Sequence, residues 1–350
     1  MANSSYRSQN FGGSNQERGP RPYDFVYFSD KPPTANRPPG HHKYLSNRLH
    51  GTLFLTLKVQ TMLHISTGIV LMGSDINQEH IPLIKTMVQG NDKELLIQGS
   101  SLKGCIRSVY EAITNSRVGV KPKKPEEYPE ERLPTKDKNQ LCPASVVFGA
   151  SGEKWGWQGL LTIQDAHCEM TGFEVGFMPN LWRPRPDESQ AYYHNGKTVG
   201  WKFYYNMKNA KDKGIGNGIP VQVAFKNDEF STKLNFKNLK PEELGSLLIA
   251  LGQDKNYPIV LKVGAGKPIG MGSMTVEITE AEITQNQADL YSRYTSFAVS
   301  SNQILTDELL KNFIHNKIQQ AHEELIEQPQ LEKISEILSF STNRIPYENY

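Results

Sequence analysis

The chain has 350 residues, is 37% hydrophobic and 22% charged, and carries a formal net charge of +2, which is ordinary for a globular protein of one large or two small domains. Its longest apolar runs, such as residues 247–251, are too short to span a bilayer, and the first residues lack the apolar stretch of a signal peptide. We therefore expect a cytoplasmic protein with no membrane partner. The three cysteines are far apart in the sequence and indicate neither a disulfide framework nor a metal site.

The first hundred residues predict an arm followed by a strand. Residues 1–50 are rich in Gly, Pro, Ser, Asn and Arg, which is typical of a flexible N-terminal arm, and the apolar segment 25–28 is expected to anchor it. Leu53, Leu55, Leu57 and Val59 then alternate with other residues at the period of a strand. Residues 66–95 predict a long loop with room for a hairpin.

The first clear helix begins in the segment GSSLKG at residues 99–104, where Ser100 or Ser101 is expected to cap it. Its apolar residues are spaced so that they form one buried stripe: Leu102, Ile106, Val109 and Ile113. Lys103 and Arg107 lie on an adjacent face. The backbone N–H groups at a helix N-terminus attract anions, so these two cations indicate either a phosphate site or a solvated basic face.

The second half of the chain alternates short strands with one more helix. We expect strands near 160–165, 221–225, 230–236, 259–263 and 274–278, and a helix over 241–251 that Gly252 ends. Two helices broken at Pro329 are expected within 305–340. This order predicts an α+β fold with an RRM-like (ferredoxin-like) core over 51–280, insertions near 117–140 and 170–217, and a C-terminal helical extension over 281–350.

The segment VGAGKPIGMGSM at residues 263–274 predicts a glycine-rich hairpin. A dinucleotide-binding turn needs a helix after it and a Walker loop needs Ser or Thr after the Lys, and this segment has neither. Gly264, Gly266, Gly270 and Gly272 allow another backbone to approach closely, and Lys267 adds one cation. A tight connection between two strands is the alternative interpretation.

Taken together, the motifs GSSLKGCIR, LCPASVVFGA at residues 141–150, the strand that ends in Asp165-Ala166, and GAGKPIGMGS resemble the RAMP superfamily of CRISPR effector proteins. PYDFVYF, PPGHHKYLSNRLHG and GWKFYYN at residues 200–206 resemble its type III branch, subtype III-D. The resemblance covers most of residues 22–280 and part of the C-terminal segment.

This resemblance implies a backbone subunit that binds CRISPR RNA and recognises complementary target RNA. Its implied partners are other backbone subunits and a large polymerase-like subunit. Ser100, Ser101, Lys103, Arg107 and the glycine-rich loop stand at motif positions expected to face the guide. Phosphate contacts and small residues suit a protein that holds a guide without reading its sequence.

Residues 170–217 are the candidate for the hairpin, called a thumb in this family, that inserts between short stretches of guide–target pairing. Residues 181–213 hold seven Lys or Arg against three Asp or Glu, interleaved with aromatic residues, a pattern that suits base stacking and phosphate contact. The candidate RNA-binding residues are Trp182, Arg183, Arg185, Lys197 and Lys202. An insertion that packs its own aromatic side chains or contacts a neighbouring subunit is an equal alternative.

Catalysis stays open at the sequence level. Catalytic members of the family place an Asp shortly before a Pro, upstream of GSSLKG, but here Pro82 follows Glu79, His80 and Ile81. Asp75 is the nearest upstream aspartate, so Asp75 and His80 are the candidates for a target-RNA endoribonuclease that uses a divalent cation, Mg or Mn. No cofactor motif is recognisable. A non-catalytic scaffold subunit and an unrelated RRM-like RNA-binding protein are the alternatives.

Overall fold

The structure is a computed structural model that describes residues 21–181, 191–211, 218–284, 303–340 and 343–346, together with residues 291 and 295. The helices of these ranges are α1 (Gly99–Ile113), α2 (Pro143–Phe148), α3 (Pro241–Ala250), α4 (Asp307–Glu324) and α5 (Gln328–Leu338). The strands are β1 (Tyr23–Tyr27), β2 (Leu49–Val59), β3 (Ser66–Met72), β4 (Leu83–Met87), β5 (Glu94–Ile97), β6 (Gly149–Ser151), β7 (Gly156–Gln158), β8 (Leu161–Ile163), β9 (Ala166–Thr171), β10 (Glu174–Pro179), β11 (Tyr193–His194), β12 (Lys197–Thr198), β13 (Gly200–Tyr204), β14 (Gly218–Val223), β15 (Glu229–Leu239), β16 (Leu261–Lys262), β17 (Ser273–Thr284) and β18 (Gln303–Leu305).

The largest sheet has the topology of a ferredoxin-like domain. Its central strands lie in the order β17, β2, β15, β9, and each neighbouring pair is antiparallel. Counted along the chain, with α1 between β2 and β9 and α3 between β15 and β17, this is the strand order 4-1-3-2. The predicted α+β, RRM-like fold is therefore confirmed, with β5, β8, β16 and β18 added around the core.

The core lies between this sheet and the helices that cover one of its faces. The alternating leucines of β2 are buried, and so are the predicted stripes of α1 and α3, as the spacing at helical and strand periods requires. Burial of each such side chain stabilises the fold by roughly 1.5–3 kcal/mol. The predicted core residues found buried are Leu102, Ile106, Val109, Leu244, Leu248 and Leu251.

A second sheet is built from segments that interrupt the core. Its strand order is β10, β14, β4, β3, so the chain before α1 and the chain around residues 170–220 meet in it. The hairpin that the sequence allowed within residues 66–95 is the antiparallel pair β3–β4, whose first strand forms one edge of this sheet.

The N-terminal segment and the last two helices pack on the domain. β1 pairs with β13, α4 packs against α3, and α5 contacts α1 and β1. The expected break at Pro329 is wrong by a few residues: α4 ends at Glu324, and Pro329 lies in the first turn of α5, where its missing N–H costs nothing. None of the described helices combines the length and the hydrophobicity needed to cross a membrane.

Candidate nucleic-acid interface

The N-terminus of α1 is held by a carboxylate from another motif. The Gly99 N–H donates to Asp165 Oδ1 over 2.7 Å, which places a negative charge at the positive end of the helix dipole. The expected serine cap is wrong, because Gln98 is the N-cap residue and the cap has no side-chain hydrogen bond. Ser100 is instead exposed in the first turn, and Ser101 is half-buried.

Lys103 lies at the edge of α1 that faces β8. Its Nζ donates to the Leu161 carbonyl over 3.1 Å. Partial burial, together with the nearby charge of Arg107, lowers the pKa of Lys103. Since an ammonium group has three donors, two remain for a ligand.

Arg107 is bound mainly to the protein itself. Its Nε donates to Glu111 Oε1 over 2.6 Å, and its Nη1 donates to the Gly149 carbonyl over 3.0 Å. The Glu111 side chain is only 8% exposed, and burial raises the pKa of its carboxyl although Arg107 acts in the opposite direction. The guanidinium therefore links α1 to the Phe148-Gly149 motif and balances a buried carboxylate.

The solvent-facing side of α1 consists of small residues. Ser100, Gly104 and Ser108 are exposed at intervals of four residues, and the space above Gly104 is open. Cys105 lies about 200° around the helix from Lys103, and its Sγ donates to the Lys262 carbonyl over 3.4 Å. The two predicted basic features thus do not form one cluster, because Lys103 and Arg107 flank one side of this face and the glycine-rich loop flanks the other.

The glycine-rich loop is a short 3₁₀ turn, Lys267–Ile269, between left-handed glycines. A side chain at Gly272 would place its Cβ 1.9 Å from the Val263 carbonyl, and one at Gly270 would lie 2.4 Å from the Asn209 carbonyl. Both residues also have positive φ, as do Gly264 and Gly266. The protein's own backbone therefore makes the close approach that these glycines permit. Lys267 lies half-buried at the turn.

The aromatic and basic segment packs partly on itself. Lys202 Nζ lies 3.7 Å from the centre of the Tyr23 ring and donates to the Tyr192 hydroxyl over 2.6 Å, and burial lowers the pKa of Lys202 to about 8. Lys197 donates to the carbonyls of Glu126 and Tyr128 in the first insertion. Trp182, Arg183 and Arg185 lie outside the described residues.

Asp75 and His80 share one loop between β3 and β4. Asp75 lies in the 3₁₀ turn Gly73–Ile76, His80 follows shortly after it, and both are exposed. The loop is closed by hydrogen bonds from the Gly73 N–H to the Ile81 carbonyl and from the Gln78 N–H to the Gly73 carbonyl. In the described ranges no three His, Cys, Asp or Glu side chains lie close enough to form a metal site.

Two features of this surface escaped the sequence interpretation. The sequence shows Ser100, Gly104 and Ser108 as small residues four apart, but the predicted phosphate site uses only the cations beside them. The sequence predicts only a strand at Lys262, yet its side chain is buried beneath the glycine-rich loop, where its Nζ donates to the Gly270 carbonyl. A lysine in a short strand gives no signal in the sequence that its ammonium group is buried.

Comparison with family models identifies the superfamily to which the chain belongs. No curated protein matches the chain. Residues 56–275 match the RAMP superfamily, whose members are associated with CRISPR effector complexes and with RNA binding. The match begins in β2 and ends in β17, so it spans the core, α1 and the glycine-rich loop. Because it covers more than half of the chain, the protein belongs to the RAMP superfamily.

Proposed function

We propose that the chain is a CRISPR RNA-binding backbone subunit of a type III effector complex, of subtype III-D, that recognises complementary target RNA. The observation that carries the proposal is the small-residue face of α1. Lys103 borders it on one side, and on the side of Cys105 it is bordered by β16 and the following glycine-rich loop, whose Lys267 is close enough to act on Cys105 by its charge. Membership in the RAMP superfamily removes the alternative of an unrelated RRM-like protein.

The chemistry of this face suits an RNA backbone rather than RNA bases. The Ser100 hydroxyl is exposed, and Gly104 leaves room for a sugar or phosphate to approach the helix. The Ser108 hydroxyl donates to the Gly104 carbonyl over 3.0 Å, so its oxygen can accept a hydrogen bond from a ribose hydroxyl. Lys103 retains two N–H donors at one border, and Lys267 supplies a cation at the other. Contacts of this kind hold the strand in position and carry no sequence information.

The test is the affinity for single-stranded guide RNA, measured over a range of salt concentrations for wild type, Lys103→Ala and Lys267→Ala. Each substitution should weaken binding by the same factor for guides of different sequence, and should reduce the slope of log K against log salt by about 0.7, as expected for one lost phosphate contact. The control is Lys255→Ala, which removes the same charge from an exposed linker after α3.

Losses that differ between guide sequences would identify Lys103 and Lys267 as base readers and contradict the proposal. Equal losses for Lys255→Ala would show that only the overall charge matters. Co-purification of the chain with further copies, with a large polymerase-like subunit and with one guide RNA tests the complex itself. The exposed apolar residues on β3 and β4, Ile69, Met72 and Leu83, suit contact with a protein neighbour at this sheet edge.

A second candidate function is cleavage of the target RNA at Asp75. Its carboxylate is exposed at the tip of a closed loop, where a substrate strand can reach it. One carboxylate does not hold Mg or Mn by itself, but these cations commonly bind one or two carboxylates together with substrate phosphates. The proposal is therefore a cation bound jointly by Asp75 and the RNA, with His80 in the same loop, and loss of one cut after Asp75→Ala would support it.

A further inference from the structure

A buried polar network lies beneath the glycine-rich loop, with Lys262 at its centre. Lys262 is only 5% exposed, and its Nζ donates to the Gly270 carbonyl and to Ser273 Oγ, each over 3.0 Å. The Thr61 hydroxyl donates to the same Gly270 carbonyl over 2.7 Å, and Ser273 Oγ donates to Asn206 Oδ1 over 2.7 Å. The network thus fixes the residues at which the loop returns to β17.

No carboxylate of the described residues forms an ion pair with Lys262, which is unusual for a buried ammonium group. Among the neighbouring titratable groups, Lys267 in the loop is itself a cation. Burial raises the pKa of the Cys105 thiol on α1 and lowers the pKa of His64 at the base of the loop, which favours the neutral form of both. A buried unpaired cation is costly, and an apolar side chain of the same length would avoid that cost. Stability of the fold alone does not explain a lysine at this position.

We propose that Lys262 is a positioning residue for RNA binding, which clamps Gly270 and Ser273 and thereby holds Lys267 and the loop in the form that meets the guide. This inference rests on the proposed function, because it assumes that the loop contacts RNA phosphates. Lys262 itself lies under the loop and need not touch the RNA. Its effect is exerted through the two acceptors and through its charge.

We expect RNA binding to be coupled to protonation of Lys262. Burial, together with the charge of Lys267, lowers the pKa of Lys262 to about 7, so the free protein holds this amine partly neutral near pH 7.5. Phosphates arriving at the loop favour the charged form and raise that pKa. The contribution of the Lys262 charge to RNA affinity is therefore fully present below the pKa that Lys262 has in the free protein, and it is lost as pH rises through the pKa that Lys262 has in the complex.

The test uses the full chain and single-stranded guide RNA. Wild type should take up a fraction of a proton on binding at pH 7.5, on the order of 0.5 per chain, measured by calorimetry in buffers of different ionisation enthalpy. Lys262→Met keeps the length of the side chain and removes the amine. We expect its RNA affinity to fall about tenfold, its proton uptake to drop, and its stability in urea to be unchanged or higher.

Two further variants separate positioning from a general effect. Lys262→Arg retains a donor and a charge that does not titrate, so it should recover affinity relative to Lys262→Met and bind without the pH dependence. Lys255→Met, in the exposed linker after α3, removes the same charge and should keep both the affinity and the proton uptake of wild type.

The outcomes are distinguishable. If wild type binds guide RNA without proton uptake and Lys262→Met binds equally well, the positioning role is overturned while the proposed function stands. If wild type does not bind guide RNA at all, the proposed function fails and the inference fails with it. If Lys262→Met does not fold, Lys262→Arg still tests the role: a drop in its proton uptake relative to wild type assigns the uptake to Lys262, and uptake equal to wild type would overturn the role.

Discussion

Replacing Arg107 by Met should destabilise the fold in the absence of RNA, because Arg107 binds the protein itself. The substitution preserves the apolar part of the side chain but removes both hydrogen bonds, to Glu111 and to the Gly149 carbonyl. Glu111 would remain as a carboxylate that is 8% exposed and no longer paired. If Arg107 were an unpaired arginine on a solvated helix face, its replacement would leave no buried carboxylate without a partner.

The magnitude follows from the burial of that carboxylate. Removal of one partner of a buried ion pair costs about 3–5 kcal/mol, and we expect the lower end because a backbone hydrogen bond with Gly119 still favours the charged Glu111. The double variant Arg107→Met/Glu111→Gln removes the unpaired charge as well. It should recover much of the loss and leave roughly 1–2 kcal/mol for the orphaned carbonyl.

The assay is urea unfolding at pH 5 and pH 8. Burial raises the folded-state pKa of Glu111, and without Arg107 it rises further. A carboxyl group whose folded pKa lies above its unfolded pKa carries no penalty below the unfolded value, and the penalty grows as pH rises through the folded value. The deficit of Arg107→Met should therefore be larger at pH 8 than at pH 5, and the double variant should lose this difference.

A stability of Arg107→Met within about 0.5 kcal/mol of wild type would refute this reasoning, since that is the range of ordinary surface substitutions. If guide-RNA affinity fell at the same time, Arg107 would be a phosphate ligand, as the basic helix face first indicated. A large loss of stability would instead mean that weak RNA binding by this variant says nothing about direct contact.

Two further predictions concern single carboxylates. Asp165→Ala should lower the free energy of unfolding, measured in urea, by about 1 kcal/mol because the Gly99 N–H loses its acceptor. Asp165→Asn keeps an oxygen there and should lose less stability, and equal losses would mean that the side chain does not act as a cap. Asp75→Ala should abolish one cut in a guide-matched RNA by the assembled complex and leave guide binding intact, and if every cut persists in this variant and in His80→Ala and Glu79→Ala, the scaffold interpretation is favoured.

The core of the fold was predictable because its signals are local. The alternation of Leu53, Leu55 and Leu57 and the stripe of Leu102, Ile106 and Val109 each fit within one element, and the structure buries all of them. The order of these elements along the chain then leaves few topologies, of which the ferredoxin-like sheet is one. Neither step requires knowledge of which residues meet across the molecule.

The details of the site were not predictable, because they depend on contacts between distant segments. The cap of α1 comes from Asp165, 66 residues away, and the partner of Arg107 in the second motif, Gly149, is 42 residues away. A serine near the start of a helix predicts a cap. The local sequence cannot reveal that a distant side chain already accepts the hydrogen bond of the first N–H group. The second sheet similarly joins β4 to β14 across most of the domain.

These long-range contacts change what the sequence motifs mean. Asp165 holds the first residue of the GSSLKG helix, Arg107 of that helix holds Gly149, and Asn206 of the GWKFYYN segment accepts a hydrogen bond from Ser273 beside the glycine-rich loop. Several motif residues thus bind one another rather than remaining free for a ligand. A motif of this kind specifies how the surface is held in shape. Under the proposed function, the residues that meet RNA are the exposed ones of α1, Ser100, Gly104 and Ser108, with Lys103 and Lys267 at their borders.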